Sequence, residues 1–160
     1  MSAAGLSGYQ AQQWLRKHHH IDVGLADHRR ILITLSMADD PETIRPLVLA
    51  LRRLPTAAAD FEPPPHVHLP APDILQLETV QSPRDAFFGP VETVPVEMAV
   101  GRVSAEQITP YPPGIPAVVP GELINAEVLD YLRTGVAAGM YLPDPADPEL
   151  KSVRVAAQRV

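Results

Sequence analysis

The chain has 160 residues, of which 46% are hydrophobic, 20% charged and only 5% aromatic, and its formal net charge is −6. This length allows one ordinary domain, or a small domain with an appendage. The acidic balance argues against a nucleic-acid partner, and no apolar run approaches the roughly 20 residues of a membrane span. The absence of cysteine excludes a disulfide framework and a thiolate zinc site, so we expect a cytoplasmic protein.

The first part of the chain predicts a helix, a strand and a second helix. Residues 7–19 are typical of a short helix capped by its first serine. The continuous apolar run at 30–37, RILITLSM, predicts a buried strand. Asp40-Pro41 then predicts a helix start, because Asp is a good N-cap and Pro suits the first helical position. We therefore expect residues 1–54 to form a small αβα segment.

The second part begins after a proline-rich connector. Residues 55–71 are rich in proline and predict an extended segment. Residues 72–160 predict an α+β domain, with helices starting at Ser82-Pro83, Pro95 and Asn125. A final strand is predicted from the alternation of SVRVAA at 152–157. The predicted fold class is therefore α+β, with a small αβα piece joined by the connector to a larger α+β domain.

The stretch 101–122, GRVSAEQITPYPPGIPAVVPGE, is the best candidate for a functional segment. Its prolines exclude a helix or a central strand, while its Ile and Val residues exclude a disordered linker. It predicts a stiff, ordered loop, and such loops are disproportionately functional. Tyr111 is held between two prolines and could present its hydroxyl to a ligand. Glu106 and Glu122 bracket the loop and could receive a cationic ligand, although packing and capping roles are alternatives for all three.

The histidines suggest a metal site, but their spacing does not support one. Successive residues of a helix point about 100° apart, so consecutive histidines cannot present three ligands to one ion. His66 and His68 would share a face of an extended segment, but no third ligand is evident. We therefore predict no metal site. The chain also has no Ser-His-Asp pattern, phosphate-binding glycine loop or nucleophile elbow.

The motifs SPRDAFF, VPVEMAVGRVSAEQITPYPPGIP and VVPGELI, together with the upstream LSGYQAQQWLR and LADHRRILITLSMADD, resemble one known family. They are similar to the C-terminal region of the bacterial Orn/Lys/Arg decarboxylases of the fold type I architecture. The resemblance runs over nearly all 160 residues. The combined signature PYPPGIP…PGE, at residues 110–122, is long and unusual in composition.

The resemblance implies a pyridoxal-phosphate (PLP) enzyme that decarboxylates ornithine, lysine or arginine. It implies at least a dimer, with active sites at the subunit interface and a small basic amino acid as substrate. It also implies that Tyr111 lies near the active site as a substrate-binding candidate, with Glu122 and Glu106 as weaker candidates.

The chain departs widely from the family, because nothing in it matches the PLP-binding domain, and neither Lys17 nor Lys151, the only lysines, matches the lysine that binds PLP. We therefore expect no catalytic or cofactor-binding residue on this chain, and PLP on a partner domain of the same polypeptide or of a split subunit. The chain would be a cloned portion, a truncated product or a split subunit, inactive alone. Two alternatives are a non-catalytic interaction or regulatory module, and a molybdopterin-biosynthesis-like domain, which VPVEMAVGRVSAE also resembles.

Overall fold

A computed structural model describes residues 5–157. This part of the chain divides into two compact units, one ending at Pro65 and the other beginning at His66. The division falls within the proline-rich range 55–71. The three domain ranges inferred from the sequence, 1–54, 55–71 and 72–160, stay a prediction. The fold class is α+β, as predicted.

The first unit contains two helices and a minimal antiparallel pair of strands. In chain order these are α1 (Gly8–His19), β1 (Leu25–Ala26), β2 (Ile31–Leu32) and α2 (Pro41–Ala57), followed by a 3₁₀ turn at Ala58–Asp60. β1 pairs with β2 through Leu25 opposite Leu32 and Ala26 opposite Ile31. The core of this unit is built mainly from α1 and α2, with these fully buried apolar side chains at its centre: Leu6, Ala11, Leu15, Ala50 and Leu54.

Both helices of this unit begin where local chemistry predicts. Ser7 caps α1 in a reciprocal capping box with Gln10. Asp40 caps α2 by accepting the N–H groups of Glu42 and Thr43, both at 2.9 Å. α2 continues through Pro46 and Pro55, so helical structure extends into the range assigned to the connector.

The predicted buried strand at 30–37 is wrong. Only Ile31–Leu32 has strand pairing, and the side chains of Leu32, Leu35 and Met37 are exposed. The segment pairs only with the two residues of β1. A turn, in which the Ser36 N–H donates to the Asp39 carboxylate, then ends the extended backbone. A continuous apolar run predicts burial only where two faces are covered, and within this unit they are not.

The second unit carries the remaining regular elements. These are α3 (Pro83–Phe88), β3 (Val91–Pro95), a 3₁₀ turn at Val96–Met98, α4 (Ala126–Ala137) and β4 (Ser152–Ala156). Ser82 caps α3 and Asn125 caps α4, both as predicted. Gly139, at a φ of 101°, follows the last turn of α4.

The predicted helix start at Pro95 is wrong, because Pro95 is the last residue of β3. β3 pairs antiparallel with β4, with Val91 opposite Ala156 and Pro95 opposite Ser152. Proline is tolerated at a strand end, where its missing N–H costs no ladder hydrogen bond. Only the single 3₁₀ turn that follows is helical.

The β3–β4 ladder is extended by irregular backbone pairing. The Ala105 N–H donates to the Arg154 carbonyl at 3.0 Å, and the Ala156 N–H donates to the Val103 carbonyl at 2.8 Å. Beyond this segment, residues 121–124 pair with residues 102–104, and residues 78–81 pair with 121–123. An irregular antiparallel sheet therefore supports the 101–122 stretch, and within residues 5–157 no helix is long and apolar enough to cross a bilayer.

Candidate functional site

The 101–122 stretch and the two residues after it form a hairpin, here called the proline hairpin (residues 102–124). Its arms meet where the Ile108 N–H donates to the Val118 carbonyl at 2.9 Å, and where the Gly121 N–H donates to the Ser104 carbonyl at 2.9 Å. Ile108 and Val118 are fully buried. The segment is thus ordered, with paired extended arms and residues 109–116 as its tip, and its stiffness stays a prediction.

Tyr111 lies at this tip with about half of its side chain exposed. Its backbone N–H donates to the Tyr141 carbonyl at 2.9 Å, so the main chain is anchored while the ring faces outward. The Tyr111–Pro112 and Pro112–Pro113 peptide bonds are cis. Gly114 follows at a φ of 91°, a conformation that glycine adopts without a side-chain clash. The ring is therefore held at a defined place on the surface of the unit.

Glu106 is buried, with 4% of its surface exposed. Its Oε2 accepts the Ala146 N–H at 2.8 Å, and its Oε1 accepts the Arg154 N–H at 2.7 Å. The Ser104 hydroxyl donates to the Glu106 carbonyl at 2.7 Å. Both carboxylate oxygens are thus engaged by main-chain N–H groups of distant segments, which suits a role within the unit better than contact with a substrate.

Glu122 occupies the second arm and is half-buried. One carboxylate oxygen, Oε2, accepts the Val119 N–H at 2.8 Å, which closes a local turn. Its carbonyl accepts the Ser104 N–H at 2.8 Å. Part of the carboxylate is therefore used to shape the turn, and its partial exposure leaves it able to face a ligand.

No hydrogen bond among the described residues joins the side chains of Tyr111, Glu106 and Glu122. The structure instead associates the tip with a segment that sequence reasoning missed, residues 141–148. The Gln107 amide donates to Asp144 Oδ2 at 2.9 Å, beside the backbone contact to Tyr141. These partners are 30 and 37 residues apart in sequence, so no local signal could have identified them.

The electrostatics of this contact favour an ionised Asp144. Hydrogen bonds from the side chains of Thr109 and Gln107 hold the pKa of the Asp144 carboxyl below its ordinary value of 3.8. The contact therefore places a carboxylate beside the base of the hairpin tip. It lies on the exposed surface, where a cationic group could approach it.

Among the described residues the histidines do not join a metal-ligand set, although His68 Nδ1 lies 3.7 Å from Asp130 Oδ2. Among residues 5–157, no group of three or more His, Asp or Glu side chains is arranged to hold an ion. Burial, partly offset by Asp27, lowers the pKa of His28, and its buried Nε2 has no hydrogen-bond partner within residues 5–157. A neutral imidazole in a partly apolar setting accounts for both facts.

Neither lysine fits the role of a PLP-binding residue. Lys17 lies in the exposed last turn of α1. Lys151 has an exposed side chain paired with Glu149, which raises its pKa. A lysine that forms a Schiff base as its free amine needs burial or a neighbouring cation to lower its pKa. The lysines of this chain therefore do not fit covalent binding of PLP.

The architecture and the hairpin define a small α+β domain that displays a proline-rich tip. Residues 71–147, which include the entire tip, match the family described as Orn/Lys/Arg decarboxylase, C-terminal domain. Over these residues the chain belongs to that family, and the resemblance drawn from its motifs is confirmed. VPVEMAVGRVSAE lies inside this match, so its similarity to molybdopterin-biosynthesis proteins needs no separate explanation.

Curated relatives extend the similarity to nearly the whole chain. It is 37% identical over 154 residues to an arginine decarboxylase of Bacillus anthracis, covering 94% of this chain and 30% of the relative. It is 39% identical over 158 residues to an arginine decarboxylase of Halalkalibacterium halodurans, again covering 30% of the relative. The constitutive lysine decarboxylase of Escherichia coli is 42% identical over 73 residues, 41% of this chain. The chain thus spans about a third of the arginine decarboxylases it matches, in their C-terminal part.

Solved structures show the same fold. Lysine decarboxylase A from Pseudomonas aeruginosa superimposes with a TM-score of 0.68 at 19% identity, covering 96% of this chain and 28% of that one. The constitutive lysine decarboxylase of E. coli gives a TM-score of 0.63 at 21% identity, covering 94% and 28%.

Proposed function

We propose that the chain is the C-terminal portion of a PLP-dependent decarboxylase of basic amino acids, and that it contributes the Tyr111 tip to the active-site wall. One observation carries the proposal. The proline hairpin lies within the family match, and its main chain is anchored at Ile108 and Tyr111 while the Tyr111 ring remains half exposed. A ring that served only to pack its own unit would have less reason to remain half exposed.

The charge around the tip suits a cationic substrate. Asp144 stays ionised at the base of the tip, and Glu122 is partly exposed on the second arm. Guanidinium and ammonium groups bind carboxylates through charge-assisted hydrogen bonds. We propose Tyr111 and Glu122 as substrate-facing residues, and not Glu106, because main-chain N–H groups occupy both of its carboxylate oxygens.

Catalysis requires a partner that carries the cofactor lysine. We propose that this partner is a PLP-binding domain, in the same polypeptide or in a split subunit, that the assembly is a homodimer or larger and that it is cytoplasmic. Large apolar side chains exposed on the two units support such contacts, because extensive exposed apolar surface marks interaction sites; they include Met37, Phe88, Met98 and Ile115. Proton and electron chemistry would then reside on the partner.

Arginine is the first substrate to test. The relatives aligned over 94% or more of this chain are named arginine decarboxylases. In sequence, the lysine decarboxylases of Escherichia coli and Hafnia alvei align over 48% of this chain or less, and the wider coverage by lysine decarboxylase structures reflects fold alone at about 20% identity. Product would be agmatine from arginine, or a diamine from lysine or ornithine.

The test is an assay of the chain assembled with its PLP-binding domain. Release of CO₂ from labelled arginine, lysine and ornithine is measured for the assembly, for the chain alone and for the PLP-binding domain alone. We expect release only from the assembly, and fastest with arginine. Activity of the PLP-binding domain that is unchanged by adding this chain would support the alternative, a non-catalytic module.

A further inference from the structure

We propose that Glu106 is a positioning residue that holds residues 141–148 against the proline hairpin and thereby fixes where Tyr111 is presented. Its catalytic consequence rests on the proposed function. Its structural part concerns this chain alone and is tested separately.

The first support is the setting of the Glu106 carboxylate. It is buried, and it accepts main-chain N–H groups from residues 40 and 48 positions further along the chain. One of these, Ala146, belongs to the 141–148 segment, and the other, Arg154, belongs to β4. A single side chain therefore joins the first arm of the hairpin to a loop and to the sheet.

The second support is that Glu106 begins a series of contacts that ends at Tyr111. Glu106 bonds Ala146, Gln107 bonds Asp144 at 2.9 Å, and the Tyr111 N–H bonds the Tyr141 carbonyl at 2.9 Å. The two segments run antiparallel through these contacts. Gln107 is exposed, whereas Glu106 is buried. Of these two side-chain contacts, the hydrogen bond of Glu106 is therefore the one better protected from competing water.

The third support is chemical. An ionised carboxylate is an acceptor at both oxygens, and both are used here. In Glu106→Gln one oxygen becomes an NH₂ group, which would face a main-chain N–H, donor against donor. A buried donor left without an acceptor is costly, so the segment should separate locally. Glu106→Asp keeps both acceptors on a shorter side chain.

Amide hydrogen exchange of the 160-residue chain, read by NMR residue by residue, tests the structural part. For Glu106→Gln we expect the amides of Ala146 or Arg154, and also that of Tyr111, to exchange at least about tenfold faster. Amides within α4, such as that of Leu132, should change little. Glu127→Gln removes a carboxylate from the exposed first turn of α4 and should leave the Tyr111 amide unchanged. Glu106→Asp should give partial rescue, and it provides the comparison if the Gln variant does not fold.

Two exchange results would overturn the proposal. Unchanged exchange at Tyr111 would show that the tip does not depend on Glu106. Uniformly faster exchange, including α4, would show that Glu106 stabilises the unit as a whole without a particular effect on the tip.

In the assembled decarboxylase, Glu106→Gln and Tyr111→Phe should both lower kcat/KM, and the double variant should lose less than the product of the two effects. If the double variant instead lost kcat/KM by the full product of the two single effects, and the Tyr111 amide exchanged at the wild-type rate, Glu106 would contact the substrate independently of Tyr111. If the wild-type assembly releases no CO₂ from any of the three amino acids, the proposed function fails, and the exchange data still decide the positioning role.

Discussion

The backbone N–H of Tyr111 donates to the carbonyl of Tyr141 at 2.9 Å, which ties the tip of the proline hairpin to a segment 30 residues away. The contact is made by main-chain atoms, so the position of Tyr111 does not depend on its own hydroxyl. Removing the hydroxyl therefore tests its contact with a ligand outside the unit while leaving the main-chain hydrogen bond to Tyr141 in place.

Tyr111→Phe in the assembled enzyme should lower kcat/KM by about tenfold, the worth of one hydrogen bond in a desolvated site. The free energy of unfolding of the chain should change by less than about 0.5 kcal/mol, because the side chain is half exposed. Steady-state kinetics and urea unfolding measure the two effects. Tyr141→Phe removes a hydroxyl from the other exposed tyrosine of the pair, and we expect a smaller effect on kcat/KM. Normal kinetics in Tyr111→Phe would make its hydroxyl dispensable.

Gly121→Ala tests the second arm of the hairpin. Gly121 has a φ of 93°, and an added Cβ would lie 2.2 Å from the Gln81 carbonyl oxygen. Gly101 has a similar φ of 76° with nothing within 4 Å of the added Cβ. Gly101→Ala should therefore lower the free energy of unfolding by about 1–2 kcal/mol, the cost of the positive φ alone. Gly121→Ala should lower it by about 1–3 kcal/mol more, because the added Cβ also clashes.

Urea unfolding followed by far-UV circular dichroism gives both glycine values. Equal losses for the two variants would contradict the close approach of residues 81 and 121.

Asp147 makes the stability of the second unit sensitive to acid. Partial burial raises the pKa of its carboxyl, but hydrogen bonds from the chain that follows lower it by more, to below the ordinary 3.8. The donors are the N–H groups of Glu149, Lys151 and Ser152 and the Ser152 hydroxyl. Because the folded pKa is depressed, this stabilisation is present above the unfolded value and is lost as the pH falls through the folded one.

Asp147→Asn should therefore be less stable than the wild type at about pH 7, and the difference should shrink as the pH is lowered beyond the ordinary carboxyl pKa of 3.8. Urea midpoints at both ends of this pH range provide the measurement, with Asp73→Asn as the control at an exposed aspartate of the same unit. A difference that persisted unchanged in acid would mean that the charge of Asp147 is not what stabilises the turn.

Limited proteolysis tests the division of the chain. Residues 62–66 are largely exposed and extended, whereas the His68 N–H donates to the Thr134 hydroxyl at 3.0 Å. A broad-specificity protease such as proteinase K should cut first within 61–66, since trypsin has no site between Arg53 and Arg84. Mass spectrometry of the first fragments locates the cut, and an initial cut within α2 or α4 would contradict the two-unit description.

Features governed by neighbouring residues could be predicted from the sequence. The caps at Ser7, Asp40, Ser82 and Asn125 depend on a side chain and N–H groups within three residues, and all four start helices where expected. The order of the 101–122 stretch follows from its prolines in the same way.

Features governed by distant partners could not be predicted. The apolar run at 30–37 has no covering layer within its unit, and Pro95 ends a strand only because Ser152 lies opposite. Glu106 was predicted as a candidate ligand residue, and its N–H donors lie 40 and 48 positions away. The resemblance to the decarboxylases could identify the family, but the partners of Glu106 required the fold.

The central claim is that this chain completes a basic amino-acid decarboxylase through the tip that carries Tyr111. The most direct measurement is CO₂ release from arginine, lysine and ornithine by the PLP-binding domain with and without the chain, using wild type and Tyr111→Phe. The account predicts release that requires the chain, is greatest for arginine and falls about tenfold in the variant. Release that is independent of the chain, or that the variant leaves unchanged, would contradict it.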